Sequence, residues 1–222
     1  MLILFCITYD LIEVLGRSDV TAEPISIDTA RRDMYRRQIL NAAELEFSRS
    51  GFANTKMQAI AKTADLSLAT LYKNFAGKTE IWDSLHATRM QDLLAYVEAN
   101  RSAATTAIER ILAGVESVAR YLIDHPTYLA MNLWAGTGWG SSDRSAHGVQ
   151  ETVWSAGLDM MAAGVKSGIA AGEVPPIDPH VAAGLIVSSL QVWLSSWSAG
   201  EPAELVVHGL VERLRWMLAG PN

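Results

Sequence analysis

Residues Arg37 to Leu85 read RQILNAAELEFSRSGFANTKMQAIAKTADLSLATLYKNFAGKTEIWDSL. Apolar residues recur here at helical spacing, and no run alternates with period two for long. A first helix is expected over about 30–49, and Ser50-Gly51 ends it because glycine readily takes the backbone out of a helix. The apolar face of this helix consists of Ile39, Leu40, Ala43 and Phe47. The segment is therefore predicted to begin with an amphipathic helix.

A second, short helix is predicted to begin at Thr55 and to stop at Asp65. The run Thr55-Lys56-Met57-Gln58 fits a capping box, in which the threonine oxygen and the glutamine side chain satisfy amides that have no partner within the helix. The buried stripe that follows consists of Met57, Ile60, Ala61 and Ala64.

A third short helix is predicted to begin at Ser67, a favourable N-cap residue, and to run to about Asn74. A long fourth helix begins at Lys78, after the break at Gly77. The side chains of Leu66 and Leu71 are expected to pack inward. The spacing does not decide whether the side chain of Leu68 points inward or outward. Two short helices joined by a tight turn and braced by another helix form a helix-turn-helix.

Charge is unevenly distributed along the chain. Residues 29–80 carry nine Lys and Arg against five acidic residues, so this segment is +4 in a chain of net charge −6, and the remainder is −10. A basic segment on an otherwise acidic protein suits a molecule that meets phosphates at one end. The alternative is that this uneven distribution of charge arose by chance, because an excess of four charges is small.

The segment from Arg37 to Leu85 resembles the DNA-binding domain of the TetR family of transcriptional regulators. The positions that carry the resemblance, matched without gaps, are Phe47, Gly51-Phe52, Thr55, Ile60-Ala61, Thr70-Leu71-Tyr72, Phe75 and Lys78. Asp65 departs from the family, which usually has glycine in this turn, and Gln58 replaces a residue that is charged in many members. Aspartate tolerates left-handed backbone better than most residues, so the turn is expected to survive.

The resemblance implies an all-α protein, in which a small helix-turn-helix domain binds DNA and a larger helical domain binds a ligand and dimerises. We expect an N-terminal extension at 1–29, the DNA-binding domain at 30–80 and the ligand-binding and dimerisation domain at 81–222. The expected function is that of a bacterial repressor released from its operator by a small molecule. An activator of the same fold is the alternative.

Candidate DNA-binding residues follow from the way a helix-turn-helix docks, with its second helix in the major groove and its first helix across the backbone. The residues expected near base edges are Ser67, Leu68, Ala69 and Thr70, with Lys73 and Asn74 as polar candidates for bases or phosphates. The residues expected near phosphates at the start of the second helix are Thr55, Lys56 and Gln58. By resemblance, Tyr72 and Lys78 contact phosphates. Taken singly, Tyr72 can equally be a half-buried aromatic residue and Lys78 an exposed lysine.

The charge of Lys78 gives a further argument for a phosphate. A cation at the start of a helix opposes the helix macrodipole unless an anion binds there.

The rest of the chain is predicted to be helical, with boundaries set by glycine, proline and capping residues. The expected helices cover about 78–100, 104–124, 128–134, 148–171, 178–198 and 202–218, with a loop rich in glycine and serine at 136–142. The helix at 178–198 is apolar almost all round and so must be buried on every side. In the TetR family, which the chain resembles, the corresponding late helices pair with those of a second copy. The resemblance therefore implies a homodimer interface formed by 178–198 together with 148–171, although a buried monomer core would explain the same pattern.

Aromatic residues beyond the DNA-binding helices suggest an apolar pocket for the ligand. The candidate ligand-binding residues are Tyr121, Met131, Trp134, Trp154, Met161 and Trp193. The expected ligand is bulky and apolar or aromatic, but an aromatic residue on a helix is more often part of the core. Ligand binding is expected to shift the fourth helix and thereby change the spacing of the two DNA-binding domains.

The sequence gives little support to an enzyme or to an adaptor that does not bind DNA. The histidines are scattered, no phosphate-binding glycine loop or nucleophile elbow occurs, and no cofactor is expected. His86 is expected to be a surface residue. Cys6 is the single cysteine, so it forms neither an intramolecular disulfide nor a cysteine-based zinc site, and a reducing cytoplasm fits.

The N-terminal residues do not have the pattern of a targeting segment. Met1 to Ile7 is apolar, but Asp10 and Glu13 soon interrupt it, and nothing basic precedes Arg17. Neither a spanning helix nor a secretory signal fits this pattern. Residues 1–29 are therefore expected to be an extension or arm, or the result of a mis-assigned start codon.

Overall fold

The computed structural model describes residues 27–100, 103–134, 148–197 and 202–220, without the side chains of 27, 132–134 and 148–156. These residues form two compact units. The first unit contains the described residues up to Arg89 together with Ala130–Glu151. The second contains Met90–Leu129 and Thr152–Asn222. The expected extension, the glycine-rich loop and the side chains of Trp134 and Trp154 lie outside the described residues.

The described residues fold into helices and contain no strand, as the sequence predicts for an all-α protein. The helices are α1 (Ile27–Asn54), α2 (Met57–Thr63), α3 (Leu68–Asn74), α4 (Lys78–Ala99), α5 (Ala107–Asp124), α6 (Pro126–Trp134), α7 (Gly148–Ala170), α8 (Pro179–Ser196) and α9 (Ala203–Ala219). None of these helices is long and apolar enough to cross a membrane.

Several predicted helix ends are confirmed. Gly51 interrupts α1 with a φ of 71°, which a residue with a side chain rarely adopts, so the chain leaves the long helix where the sequence indicates. Gly172 follows α7 with a φ of 73°. Asp178 caps α8, because its Oδ1 accepts hydrogen bonds from His180 N at 2.9 Å and Val181 N at 3.0 Å.

The core of the second unit is formed by α5, α7, α8 and α9. Its most buried members include Leu112, Val115, Val165, Ile186, Leu210 and Leu214. Glu173, just after α7, fixes the start of α5, since its Oε2 accepts from Ala107 N at 2.6 Å and Ile108 N at 3.1 Å. These contacts give α5 a fixed position against the rest of the unit.

Trp193 joins α8 to α9. Its indole Nε1 donates to Val206 O at 2.8 Å, and its ring lies directly over Gly209. A Cβ at position 209 would be 2.9 Å from the Trp193 ring, a distance that such atoms essentially never show. Glycine is therefore needed here for close approach.

We predict that Gly209→Ala lowers the free energy of unfolding by about 1–3 kcal/mol, because the ring must move out of a packed site. Gly114→Ala is the matched control, since nothing lies within 4 Å of a Cβ at that position in α5. The control should gain about 0.5–1 kcal/mol from helix propensity. Urea denaturation measures both changes, and an equal response of the two variants would contradict the packing of Trp193 on α9.

Candidate nucleic-acid interface

The first unit is built around an aromatic cluster that joins α1 to α4. Phe47 is fully buried, and its ring centroid lies 5.0 Å from that of Trp82 in an edge-on arrangement. Phe52 lies 5.8 Å from Phe47 and 5.0 Å from Trp82. An ion pair between the half-buried Arg89 and the buried Glu44 adds a second link between the two helices, since Arg89 Nε donates to Glu44 Oε2 at 2.7 Å. The short helices α2 and α3 are thus supported by a rigid base.

The turn between α2 and α3 has the conformation expected from the sequence. Asp65 has a φ of 51° and is the one non-glycine residue with a left-handed backbone among those described. The carbonyl of the preceding residue, Ala64, accepts from Gln38 Nε2 at 2.6 Å. The turn is therefore held by a side chain of α1 as well as by its own backbone.

Helix α3 begins at the predicted N-cap. Ser67 Oγ accepts from Thr70 N at 3.0 Å, which satisfies one of the amides left free at a helix start. At the other end, Arg36 Nη1 donates to Asn74 O at 2.6 Å, and the Arg36 guanidinium lies 3.9 Å from the centroid of the Phe75 ring. Both ends of α3 are therefore fixed by specific hydrogen bonds.

The outward side of α3 presents the side chains that the sequence predicts for DNA binding. Tyr72 is 49% exposed although it is a large aromatic residue, and Lys73 is exposed beside it. Ser67 and Ala69 are exposed, and Leu68 and Thr70 are half-buried. The remaining candidates are Asn74, which is half-buried with its Nδ2 donating to Thr70 O at 2.8 Å, and the exposed Lys56 and Gln58.

The predicted capping box at Thr55 is wrong. Thr55 is only 4% exposed, and its hydroxyl lies 2.8 Å from Gly51 O and 3.2 Å from Glu46 O, both acceptors at the end of α1. Lys56 is the N-cap residue of α2 and makes no side-chain capping bond. The hydroxyl is used to close the connection from α1, so the Thr55 side chain is not presented at the surface.

Lys78 occupies a different environment from the one expected. Its Nζ donates to the carbonyls of Phe52, Ala53 and Thr55, at 2.6, 3.1 and 3.0 Å. These carbonyls lie where α1 ends, so they offset the unfavourable position of a cation at the start of α4. The macrodipole argument therefore no longer requires a phosphate here, and phosphate binding by Lys78 stays a prediction.

We expect Lys78→Ala to lower the free energy of unfolding by about 1–2 kcal/mol even without DNA, since three carbonyls lose a charged donor. Lys73→Ala removes the same charge from an exposed site on α3 and should leave stability within about 0.5 kcal/mol of the parent. Chemical denaturation of the three proteins in the absence of DNA is the measurement. Equal stability of both variants would show that the Lys78 hydrogen bonds contribute nothing.

His86 is buried rather than on the surface, which corrects the sequence-based expectation. It is 5% exposed, and its ring packs edge-on against Trp82 at a centroid distance of 4.5 Å. Burial lowers the pKa of His86 to about 4, because the protein interior disfavours the charged imidazolium.

The stability of the protein should fall as the pH decreases from about 6.5 to about 4. Over this range the unfolded chain protonates His86 while the folded protein does not, so acid favours unfolding; above pH 6.5 the contribution of His86 is constant. The variant His86→Gln should show a shallower pH dependence than the parent, whereas His208→Gln, at an exposed position, should not. Thermal melts across this pH range measure the effect. If both variants show the same pH dependence of stability as the parent, the attribution of this dependence to His86 is wrong.

Two residues that hold the interface were missed by the sequence analysis, Arg36 and Gln38. Each reaches from α1 to the carbonyl end of a short helix, Arg36 to α3 and Gln38 to α2. The available signal was their position close to the buried Ile39, which Gln38 directly precedes and which Arg36 precedes by three residues.

The described candidates for ligand binding lie mainly in packed regions. Tyr121 and Met131 are buried, and the ring of Tyr121 stacks on His125 at 4.1 Å. Met161 and Trp193 pack against the core of the second unit. A cavity of about 290 Å³ occurs in that unit among α4, α5 and α9, and none of the candidate residues lines it. Their role in ligand binding stays a prediction.

Comparison with known proteins gives a family match within the first unit. Residues 39–85 match the model of the bacterial regulatory proteins of the tetR family. The chain is similar to the uncharacterized HTH-type transcriptional regulator YhgD of Bacillus subtilis, with 24% identity over 78% of this chain and 91% of YhgD. It is also similar to the HTH-type transcriptional repressor SCO4008 of Streptomyces coelicolor, with 23% identity over 64% of this chain and 70% of SCO4008.

The fold is shared with solved structures of this kind. One is AibR in complex with isovaleryl coenzyme A and operator DNA, with a TM-score of 0.66 and 18% identity over 85% of this chain and 100% of AibR. The match at residues 39–85 coincides with the helices whose packing and exposed α3 surface are described above. Residues 39–85 are therefore similar to the bacterial regulatory proteins of the tetR family, and the chain shares the fold of a solved regulator that is bound to operator DNA.

Proposed function

We propose that the chain is a repressor that binds operator DNA as a homodimer and is released by a small molecule. The observation that carries this proposal is the arrangement of α3, which exposes Tyr72 and Lys73 while Arg36 of α1 holds its C-terminal end. Such a helix can enter the major groove without rearranging. The similarity to the repressor SCO4008 supports the same direction of regulation.

A gel-shift assay with the DNA upstream of the gene for this chain tests DNA binding. We expect a specific complex whose affinity falls steeply with salt, because phosphate contacts release counterions. Absence of binding at low salt would favour a non-DNA adaptor. Reporter expression with and without the gene then separates a repressor, which lowers expression, from an activator, which raises it.

The proposed homodimer is supported by an apolar surface on α8. Val181, Leu185 and Val192 are 55, 47 and 68% exposed, and their spacing puts them on one side of the helix. Burial of such a row against the same row of a second copy removes apolar area from water. Two DNA-binding domains would then meet half-sites about 34–36 Å apart or a multiple of this distance. Sedimentation measurements test the dimer.

The proposed release mechanism uses α4, which is one uninterrupted helix from Lys78 to Ala99. Its start carries the Lys78 contacts to α1, so a ligand that displaces α4 would also move the DNA-binding helices. The ligand needs to bind the displaced state better by a few kcal/mol. The proposed inducer is bulky and apolar or aromatic, and the proposed location is the bacterial cytoplasm. A thermal-shift screen followed by operator footprinting identifies the ligand.

A further inference from the structure

The second unit contains a cleft of about 290 Å³ whose lining is polar rather than aromatic. It is small by the standards of ligand pockets, so a compact molecule fits it best. The lining residues come from α4, α5 and α9 and are Tyr96, Asn100, Glu109, Leu112, Ala113, Glu116, Ser117, Arg120, Val211 and Arg215. We propose that this cleft binds a small linear diamine, with one ammonium group at Glu109 and the other at Glu116.

One face of α5 supplies the pattern that a diamine requires. Glu109 and Glu116 are two turns apart, which separates their backbone positions by about 10 Å along the helix axis. Leu112 and Ala113 lie between them on the same face and also line the cleft. A carboxylate at each end and an apolar stretch in the middle complement a methylene chain that carries an ammonium group at each end.

The lining of the cleft carries two carboxylates and two guanidinium groups, and two further carboxylates, those of Glu204 and Glu212, contact the same guanidinium groups from outside the lining. Arg120 contacts two carboxylates, since its Nε donates to Glu116 Oε1 at 3.0 Å and its Nη1 to Glu204 Oε1 at 2.7 Å. Arg215 likewise donates to both Glu109 and Glu212. Each guanidinium is thus outnumbered by carboxylates, and an additional positive charge is attracted while an anion is repelled.

The carboxylate at Glu109 is charged at neutral pH. The hydrogen bond from Arg215 holds the pKa of Glu109 below its usual value. The ion pair between Glu109 and Arg215 is partly exposed to solvent. A ligand can therefore reach the Glu109 carboxylate without a rearrangement of the core.

Ser117 adds a polar side chain to the cleft. It is 6% exposed as a residue and lines the cleft. Its side-chain oxygen is not among the fully buried atoms that lack a partner in the described part of the chain, so the oxygen faces the space of the cleft. An ammonium group at neighbouring Glu116 can donate to this oxygen.

Calorimetric titration of the full chain with hexamethylenediamine at low ionic strength tests the proposal. We expect one saturable site per chain, with hexylamine binding about tenfold more weakly because one charged hydrogen-bond partner is lost. Ethylenediamine, which is too short to reach both carboxylates, should resemble the monoamine. Adipate has the same chain length with opposite charge and should not bind. Binding of adipate, or equal affinity for the diamines of both lengths, would overturn the proposal.

Variants locate the site. Glu109→Gln and Glu116→Gln should each weaken hexamethylenediamine about tenfold. Asp124→Asn is the matched control, since it removes the same charge from an exposed position at the end of α5 and should bind like the parent. Ala113→Leu fills the middle of the cleft without removing an ion pair, so it should abolish binding even if the glutamine variants fold poorly. Unchanged affinity in Ala113→Leu would place any diamine site elsewhere. The proposal concerns binding in the second unit, so its outcome is independent of operator binding.

Discussion

Phe47→Ala is expected to destabilise the DNA-binding unit by about 3–5 kcal/mol, the range for removing a large buried aromatic side chain. Phe47 is fully buried and contacts both Phe52 and Trp82, so its removal leaves a cavity where α1 meets α4. A loss of this size is comparable to the whole stability of a small domain. Urea denaturation, followed by circular dichroism, measures the change.

Met34→Ala is the control for Phe47→Ala. Met34 lies on the same helix but is 47% exposed, and the substitution should alter stability by no more than about 0.5 kcal/mol. If Phe47→Ala lost less than about 1 kcal/mol, the aromatic cluster would not be the base that supports the short helices.

The double variant Tyr72→Ala/Lys73→Ala is expected to bind operator DNA about 100-fold more weakly than the parent while keeping its stability, since two groups exposed on α3 are lost. The slope of affinity against salt should also become shallower by about one unit, because the lysine contact to phosphate is lost. Fluorescence anisotropy at several salt concentrations measures both quantities.

Lys166→Ala tests whether a loss of positive charge alone weakens DNA binding. Lys166 is exposed on α7 in the second unit, and its removal should leave operator affinity unchanged. A folded double variant that binds as tightly as the parent would show that α3 does not face the DNA. Loss of affinity in Lys166→Ala to the same extent would point to net charge instead.

The sequence predicted the elements of this fold well because their ends carry strong local signals. Ser67, Asp65 and Asp178 act within two or three residues of themselves, and the structure confirms each at its expected place. The apolar face of α1 was also visible as spacing, and Ile39, Ala43 and Phe47 are fully buried.

The structure differs from the expectations at side chains whose surroundings the local pattern does not specify. Lys78 binds carbonyls 23 to 26 residues away, which no local pattern indicates. Thr55 fits a capping box by spacing, but the end of α1 offers its hydroxyl better acceptors. His86 is buried by packing against Trp82, and a lone polar residue gives no sign of this in the sequence.

The cleft of the second unit was missed for the same reason. It depends on helices that are far apart in the chain, and its acidic residues look like an ordinary solvated face of α5. The candidate ligand-binding residues are aromatic residues and methionines instead, and two of them, Met161 and Trp193, pack against the core of the second unit.

The hydrogen bond that holds the C-terminal end of α3 to α1 uses an atom that every amino acid has. Arg36 donates to the backbone oxygen of Asn74, and the side chains that pack this region, Leu71 and Phe75, are buried, so neither contact depends on what the outward side chains of α3 are. Exchange of residues such as Ala69 or Lys73 should therefore alter which base sequence is preferred without loss of the scaffold. The preferred operator sequence can thus change during evolution by a few substitutions on α3. The same positions can be substituted deliberately to redirect the protein to another operator.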